Sequence, residues 1–394
     1  MIDKILKTEH MKDNRKILFI VWIILLLAWM TMTLIPFVFK GKTARLIADY
    51  YDRNAYFERG KWFIENAHPL SEYPQIPTIL FGLNHLISTQ FDTDIQFDVY
   101  IAFFSLGMML VLFLVFKALL ELLPPDRSNY ALLVLLPPTL YFTYNRFDIL
   151  PAYLCLITYS LSTKKQWTTV SIVLAIATFT KWYPALLFPG FFMYATALEG
   201  KFQWKMILFF AITSITILLS SFLQGGLETI LAPYQFHTAR SMEFVAFPVL
   251  VNNLLSSLLG THVNSSYYFP FFFIIQVSTP LLVFFVKFDS LEALTRYCIV
   301  TIGVFVFFSR IWSPQWFLWL LPFLIISARN TEDAKMIIIY NLISYLCFPI
   351  IFDTYGSSSY PLQISALLLY TILFIFIIQS FKGLKFAKNL ISPF

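Results

Sequence analysis

Long apolar segments recur along the whole chain and are separated by short charged or proline-containing connections. A helix that crosses the hydrocarbon core of a bilayer needs about 20 such residues. The pattern therefore predicts an all-α polytopic membrane protein with about 12 transmembrane helices. Several segments hold only about 15 residues, which favours tilted, broken or re-entrant helices. The apolar segments lie at roughly 17–39, 99–122, 129–144, 147–162, 167–181, 183–199, 206–224, 267–287, 295–310, 314–328, 335–352 and 360–381.

The amino-acid composition agrees with a membrane environment. Of 394 residues, 58% are hydrophobic and only 13% are charged, whereas soluble domains have about 45–50% and about 25%. This excludes a soluble enzyme, a nucleic-acid-binding domain and a disordered tail. The longest polar stretch, 40–98, is too short to bury a robust core of its own. The sequence thus predicts a single membrane-embedded domain over residues 1–394.

The charges predict an orientation. The net charge is +6, and lysine and arginine gather in the cytoplasmic loops of membrane proteins. An even number of spans, with both termini cytoplasmic, places every basic connection inside. For this reason we interpret residues 245–261 as a re-entrant or surface-lying helix rather than a thirteenth span. The basic residues concerned are Arg127, Lys164, Lys165, Lys201, Lys205, Arg329, Lys335, Lys382, Lys385 and Lys388.

Ionisable residues are rare inside the predicted spans. The unusual polar residues lie instead in the loops and corners of the outer side. Ionisable side chains inside spans are typical of ion or proton pathways, so their scarcity favours a site at the outer membrane–water boundary. The three cysteines lie in apolar segments, and no His or Cys spacing is typical of a metal site. We therefore expect neither a metal nor a cofactor.

The first outer loop predicts an interfacial helix over residues 43–57. In a helix, Asp49, Asp52 and Tyr56 share one side, opposite an apolar stripe that faces the lipid. A carboxylate turned away from the lipid is a candidate general base for a hydroxyl group. Asp49 is the first candidate and Asp52 the alternative. The two carboxylates also fit a simple solvated face that balances the nearby arginines.

Three corners between predicted spans each place a cation beside aromatic residues at the outer boundary. They are 144–148, 180–184 and 309–316, with Arg146, Lys181 and Arg310 as the cations. The segment 225–240 adds His237 and Arg240. An aromatic belt of interfacial anchors would look similar at any one corner. Several cations on one face suit a phosphate group attached to a lipid tail.

Five motifs follow one another along the chain. They are Asp49, Glu72-Tyr73-Pro74, Asn145-Arg146-Phe147-Asp148-Ile-Leu-Pro151, Lys181-Trp182-Tyr183-Pro184 and Ser313-Pro314-Gln315-Trp316-Phe-Leu-Trp319. In this order they resemble the GT-C superfamily of membrane glycosyltransferases over about residues 45 to 320. The branch they most resemble is the bacterial polyprenol-phosphate-mannose-dependent transferases, and the first mannosyltransferase of GPI-anchor synthesis shares the Lys-x-Tyr-Pro and Ser-Pro-Gln elements.

The resemblance implies a GT-C-like bundle with the catalytic carboxylate, Asp49, in the first outer loop. It also implies a polyprenyl-phosphate-linked sugar as donor, an inverting displacement and usually no required metal. Lys181 and Tyr183 would face the donor phosphate or sugar. The spacing that follows Asp49 is slightly shorter than in typical members of the family, so Asp52 remains an alternative base. The candidate substrate-binding residues are Glu72, Tyr73, Asn145, Arg146, Asp148, Lys181, Tyr183, His237, Arg240, Arg310 and Gln315.

The expected activity is hexosyl transfer, with mannose as the expected sugar, to a glycan or glycolipid at the outer face of a bacterial inner membrane. Two other classes of membrane protein are alternatives. A transporter or flippase would need ionisable residues in mid-membrane and a repeat of two halves, and neither is visible. An envelope glycan ligase or polymerase would use a lipid pyrophosphate, so release of a monophosphate or a diphosphate distinguishes the two enzymes.

Overall fold

A computed structural model of the protein describes residues 2–39, 44, 46–66, 72–260 and 269–386, with the backbone alone at 2–14, 50, 257 and 269. Lys388, and residues 43 and 45 at the beginning of the predicted interfacial helix, lie outside these residues. Within the described ranges the regular structure is helical and contains no strand, apart from one isolated bridge between Val286 and Phe386. The all-α fold class is confirmed.

The α-helices follow one another in a single order along the chain. They are α1 (Ile2–Val38), α2 (Tyr50–Asn66), α3 (Gln75–Ser88), α4 (Gln96–Leu122), α5 (Pro137–Asn145), α6 (Ile149–Thr163), α7 (Trp167–Thr180), α8 (Phe188–Glu199), α9 (Trp204–Ala239), α10 (Phe247–Leu259), α11 (Phe269–Ser278), α12 (Leu291–Phe307), α13 (Phe317–Ser327), α14 (Thr331–Tyr345), α15 (Phe352–Tyr355) and α16 (Tyr360–Lys382). Short 3₁₀ segments precede several of them, at Thr93–Ile95, Pro125–Leu135, Tyr183–Leu187, Thr279–Phe284 and Pro314–Trp316.

In the described part of the chain, five helical segments are long and apolar enough to cross a membrane, which is consistent with a multi-pass membrane protein. Shorter apolar helices lie between them, among them α6 and α7. The total of about twelve spans stays a prediction. The five long segments are Arg15–Val38, Thr93–Leu122, Trp204–Ala239, Thr331–Tyr355 and Tyr360–Lys382.

Breaks interrupt some of the apolar segments, as their short lengths led us to expect. The segment predicted at 129–144 is a 3₁₀ stretch followed by α5, which Pro137 and Pro138 open. Helix α9 continues beyond the predicted end at 224, but its backbone leaves the helical region at Gly225 and Gly226. Gly226 has φ of +69°, a left-handed conformation that glycine adopts without a steric cost.

The helix of the first outer loop differs from its prediction. It begins at Tyr50 rather than at 43, so Asp49 precedes it, and it extends to Asn66. Tyr56 lies within electrostatic range of Asp49, but it is not solvated. It is 1% exposed and its ring stacks on Phe81 of α3, at 4.6 Å between centroids. The reason is that α2 packs closely against α3, so that this side of the helix buries an aromatic pair instead of facing water.

Helices α4 and α13 form the centre of the bundle. Leu112, Phe116 and Leu119 of α4 are fully buried, and α4 contacts α1, α3, α5 and α6. Helix α13 is apolar and buried on all sides from Phe317 to Ile325, as expected of a helix surrounded by other helices. These two rigid elements fix where the neighbouring corners lie.

The close approach of α2 and α3 yields a stability prediction. A Cβ added at Gly60 would lie 2.4 Å from the carbonyl oxygen of Phe81, whereas one at Gly107 meets no atom within 4 Å. Gly60→Ala should therefore lower the free energy of unfolding by about 1–3 kcal/mol. Gly107→Ala should leave it unchanged or raise it by about 0.5–1 kcal/mol, because glycine is the poorer helix former.

Thermal unfolding of the two purified variants in one detergent measures this difference. Equal melting temperatures for Gly60→Ala and Gly107→Ala would show that the contact between α2 and α3 is looser than described.

Candidate functional site

One guanidinium group joins the first outer loop to the corner between α5 and α6. Arg146 follows the last residue of α5 in an extended conformation and is buried. Its Nη2 donates to Oδ2 of Asp49, and its Nη1 contacts Oδ2 of Asp52. A single buried cation thus neutralises two carboxylates that belong to a distant part of the chain.

Asn145 fixes the backbone around Asp49. Its side-chain oxygen accepts a hydrogen bond from the Asp49 backbone N–H at 2.8 Å. Its amide nitrogen donates to the carbonyl oxygens of Ile47, at 3.0 Å, and Tyr141, at 2.8 Å. The fully buried side-chain amide thus accepts one hydrogen bond and donates two, which satisfies most of its capacity for hydrogen bonds. The sequence predicted Asn145 to bind substrate, and the structure places it as a clamp between α5 and the loop.

The two candidate bases differ in their surroundings. Both carboxylate oxygens of Asp49 are engaged, Oδ1 by the backbone N–H of Tyr51 at 3.0 Å and Oδ2 by Arg146. Arg53 also donates from Nε to the carbonyl oxygen of Asp49 at 2.9 Å. The side chain of Asp52 is 21% exposed and that of Asp49 is 12% exposed. Asp49 is therefore the more firmly held carboxylate and Asp52 the more accessible one.

Asp148 and Lys181 form a second buried ion pair next to the first. Oδ1 of Asp148 accepts from Nζ of Lys181 at 2.6 Å and from Nε1 of Trp319 at 2.7 Å. The ammonium group lies 4.9 Å from the ring centroid of Phe147 and 5.2 Å from that of Trp319, distances typical of cation–π contacts. Oδ2 of Asp148 is buried and accepts no hydrogen bond from the described residues.

Aromatic rings surround this second ion pair. Tyr183 stacks on Trp319 at 4.3 Å between centroids, and Trp319 stacks on Trp316 at 4.7 Å. Tyr73 packs edge-to-face on Phe147 at 5.2 Å. Such pairs are rigid and apolar, so the charged groups lie beside a preformed aromatic wall.

A neighbouring group of predicted residues lies at the end of α9. Nε2 of His237 makes a hydrogen bond with the Glu72 carbonyl oxygen at 3.1 Å, and Arg310 donates to the His237 carbonyl oxygen. Arg240 pairs with Glu243, and the Glu72 carboxylate accepts from Arg59 at 2.9 Å.

The ring of Trp182 connects this group to the Lys181 corner. It stacks on Tyr234 at 4.5 Å and packs edge-to-face on His237 at 5.2 Å. Gln315 is buried in the 3₁₀ turn that leads into α13 and Trp319. The structure thus brings the predicted residues together in one region, in two adjoining groups.

Burial and neighbouring charges act in opposite directions on the two cations, which both lie in connections between helices. Burial lowers the pKa of Arg146, and the carboxylates of Asp49 and Asp148 oppose that shift. Burial also lowers the pKa of Lys181, Asp148 opposes the shift, and the charges of Arg146 and Arg240 add to it. Lys181 therefore lies close enough to Arg240 for the two positive charges to repel each other.

Several residues of the site were not among those predicted. Trp319 was part of a quoted motif but not a predicted contact, although its indole N–H needs a buried acceptor, which Asp148 provides. Phe147 and Arg53 are buried beside the cations and carboxylates. Arg53 reaches the backbone carbonyl oxygen of Asp49, which no side-chain spacing indicates. Glu243 pairs with Arg240 three residues earlier, a spacing that the sequence shows, but it also accepts a hydrogen bond from the backbone N–H of Trp312 at 3.2 Å, which no local pattern indicates.

The histidine, cysteine and carboxylate side chains within the described ranges form no group of three or more that could hold a metal ion. The cations, carboxylates and aromatic rings instead suit a ligand that combines an anionic group with hydroxyl groups and apolar faces.

The shared position of Arg146 predicts strong destabilisation when it is removed. Arg146→Met leaves two carboxylates facing each other without a cation, and loss of one partner from a buried pair costs about 3–5 kcal/mol. Arg59→Met removes an arginine from a half-exposed pair and should cost at most about 1 kcal/mol. Adding Asp49→Asn to Arg146→Met should restore part of the loss, because one of the repelling charges disappears.

A double-mutant cycle measures this coupling. It compares the chemical or thermal unfolding of the unmodified protein, Arg146→Met, Asp49→Asn and the double variant. Additive effects of Arg146→Met and Asp49→Asn would mean that the two side chains do not act on each other.

Comparisons with known proteins place no further constraint on the site. No family model matches the chain, and no curated protein matches it significantly.

Proposed function

We propose that the protein is a GT-C-type hexosyltransferase. It transfers a hexose, with mannose as the expected sugar, from a polyprenyl-phosphate-linked donor to a hydroxyl group of a glycan or glycolipid. The observation that carries the proposal is the ion pair of the Asp49 and Asp52 carboxylates with Arg146, which adjoins the ion pair of Asp148 with the Lys181 cation. A base and a phosphate-binding cation are the two groups that this reaction needs side by side.

The phosphate of the donor is best accommodated near Lys181 and Arg240. The charges within the buried cluster balance, since Asp49, Asp52 and Asp148 face Arg146, Lys181 and Arg53. Burial is the main cause of the lowered pKa of Lys181, and repulsion from the positive charge of Arg240 adds a minor part to it. An anion between them would relieve this repulsion, and it would also stabilise the charge that develops on the leaving phosphate.

The sugar would lie against the aromatic wall. Oδ2 of Asp148 is buried and has no described partner, and a buried acceptor without a partner costs about 1–3 kcal/mol. A sugar hydroxyl that donates to this oxygen would remove that cost. The rings of Phe147, Tyr73 and Trp319 then supply rigid apolar surfaces beside it.

In the chemical step the acceptor hydroxyl gives its proton to Asp49, or to Asp52 as the alternative. The acceptor oxygen attacks the anomeric carbon, and the bond from that carbon to the phosphate oxygen breaks with inversion. Polyprenyl monophosphate leaves with the electron pair. Because Arg146 contacts both carboxylates, one of them can hold the guanidinium in place while the other accepts the proton.

The location of these residues fits a lipid-linked donor. They lie at the ends of helices, after α5, before α6, after α7 and at the start of α13, and apolar helices consistent with a bilayer environment carry them. A polyprenyl chain can remain among such helices while its phosphate reaches the charged groups at their ends. We propose that this end faces the extracytoplasmic side, with both termini cytoplasmic, as the basic connections predict.

The assignment of the base predicts a large loss of activity. Asp49→Asn keeps the shape but cannot accept the proton, so kcat for sugar transfer should fall by about 10²–10⁴. Asp52→Asn should have a smaller effect if Asp49 is the base, and the larger effect if the roles are reversed. The control is Asp126→Asn, which changes an exposed carboxylate at the opposite end of α4.

Purified protein in proteoliposomes, supplied with radiolabelled polyprenyl-phosphate hexoses and a panel of glycan acceptors, provides the assay. Transfer that survives in both Asp49→Asn and Asp52→Asn would exclude these carboxylates as the base. Release of a lipid diphosphate in place of a monophosphate would favour the ligase or polymerase class.

The phosphate-binding role of Lys181 predicts a change in donor affinity. Lys181→Met should raise KM for the donor by about tenfold or more, because a charge-assisted hydrogen bond to phosphate contributes about 1.5–3 kcal/mol. KM for the acceptor should change little. Lys164→Met, an exposed lysine at the other end of α7, is the matched control.

Initial rates over a range of donor and acceptor concentrations separate these effects. An unchanged donor KM in Lys181→Met would remove Lys181 from the phosphate site.

A further inference from the structure

A cavity of about 630 Å³ lies at the end of the bundle that is remote from the candidate site. Its walls come from the connection after α4, the start of α12, the end of α13 and the end of α16. We call it the distal cavity. None of its lining residues belongs to the motifs that the proposed function uses.

The same helices connect the two regions. Helix α13 begins near Trp319 in the candidate site and ends at Ser327 in the distal cavity. Helix α4 contributes Phe104 beside the aromatic residues of the first outer loop and Leu122 to the cavity. At about 1.5 Å per residue, the rise from Phe104 to Leu122 is about 27 Å. The distal cavity is therefore a separate site.

Positive charge predominates around the distal cavity. Four cationic residues line it against two carboxylates, so two positive charges remain uncompensated. The carboxylate of Glu292 already pairs with two of these cations. It accepts hydrogen bonds from Arg296 at 2.9 and 2.7 Å and also contacts Arg329. Asp333 accepts from the backbone N–H of Arg329 at 2.8 Å. The cationic residues are Arg127, Arg296, Arg329 and Lys382.

Arg127 and Lys382 provide the excess charge. Neither forms an ion pair with a carboxylate in the described ranges of the chain. Arg127 uses Nη1 to donate to the carbonyl oxygen of Ala328 at 2.8 Å. A guanidinium has five N–H donors in a planar fork that matches two phosphate oxygens. Most of the donors of Arg127 thus remain for a ligand.

Apolar side chains line the cavity beside these cations. Leu122, Leu324, Ile337 and Phe376 all contribute to its walls. A cavity that places cations next to the apolar sides of helices suits an amphiphile, with the anionic group on the cations and a hydrocarbon chain along the helices. A small soluble anion would use the cations only.

A second cavity, of about 620 Å³, has the same character. Lys165, Lys201 and Lys205 line it against the single carboxylate of Glu199. It lies where α7 begins, at Trp167, whereas α7 ends one residue before Lys181 of the candidate site. The end of the molecule remote from the candidate site is therefore basic at two places, as expected of a surface that meets an anionic leaflet.

We propose that the distal cavity binds the phosphate headgroup of an anionic phospholipid, with Arg127 and Lys382 as its principal contacts and an acyl chain lying against the apolar wall. The site does not depend on the glycosyl-transfer function. It binds a resident lipid of the bilayer rather than the sugar donor, and it attaches the ends of α4, α13 and α16 to the membrane surface.

Native mass spectrometry of the full chain, released from detergent micelles, tests the site. The protein is titrated with phosphatidylglycerol, with phosphatidylcholine and with inorganic phosphate. We expect saturable binding of phosphatidylglycerol, at least tenfold weaker binding of phosphatidylcholine, and no displacement by millimolar inorganic phosphate.

Two variants and one control locate the binding. Arg127→Gln and Lys382→Gln should each weaken phosphatidylglycerol binding about tenfold, the loss expected for one charge-assisted contact. Lys335→Gln removes an exposed lysine that pairs with Glu332 and does not line the cavity, and it should leave the affinity unchanged. Lys382 is exposed near the end of α16, so its replacement keeps the test valid even if Arg127→Gln fails to fold.

Two results would overturn the proposal. The first is equal phosphatidylglycerol affinity in Lys382→Gln, Lys335→Gln and the unmodified protein. The second is binding of inorganic phosphate that competes with the lipid at the same concentration, which would identify a soluble anion site.

Discussion

The guanidinium of Arg146 is the contact on which the candidate site depends. It is buried after α5, and it contacts the carboxylates of Asp49 and Asp52, which belong to a loop almost a hundred residues earlier in the chain. Two like charges this close, and partly shielded from water, would repel each other. The fold can therefore keep both carboxylates at one place only while Arg146 lies between them. Asn145 supports the arrangement by holding the Asp49 backbone.

The second ion pair shows how the same constraint extends through the site. Asp148 is buried, so it needs donors, and it obtains them from Lys181 and from the indole of Trp319. These donors follow α7 and lie within α13, two helices far apart in sequence. One carboxylate thus fixes the relative position of two connections and one helix. Its other oxygen, which has no hydrogen-bond partner among the described residues, is the kind of group that a fold retains at a binding site rather than in a purely structural core.

The two ends of the bundle carry different electrostatics. At the candidate site, carboxylates and cations alternate and their charges nearly balance, which suits chemistry that moves both a proton and a phosphate. At the distal cavity, cations exceed carboxylates, which suits attraction to an anionic surface. Rigid apolar helices, above all α4 and α13, separate the two ends. A polytopic protein can in this way keep a reactive site and a lipid-anchoring surface on the same helices without one disturbing the other.

The sequence by itself determined the all-α class, the apolar character of the segments and the residues that gather at one end, because hydrophobic segment length and charge placement are local properties. It also indicated broken helices, through apolar segments of only about 15 residues. Tertiary structure alone decided which partners meet. Helical periodicity placed Tyr56 on the same solvated face as the carboxylates, but packing against Phe81 and Phe147 buried its ring. The pairing of Asp49 with Arg146, and the contact of Trp319 with Asp148, result from long-range packing of helices, for which the chain carries no local pattern.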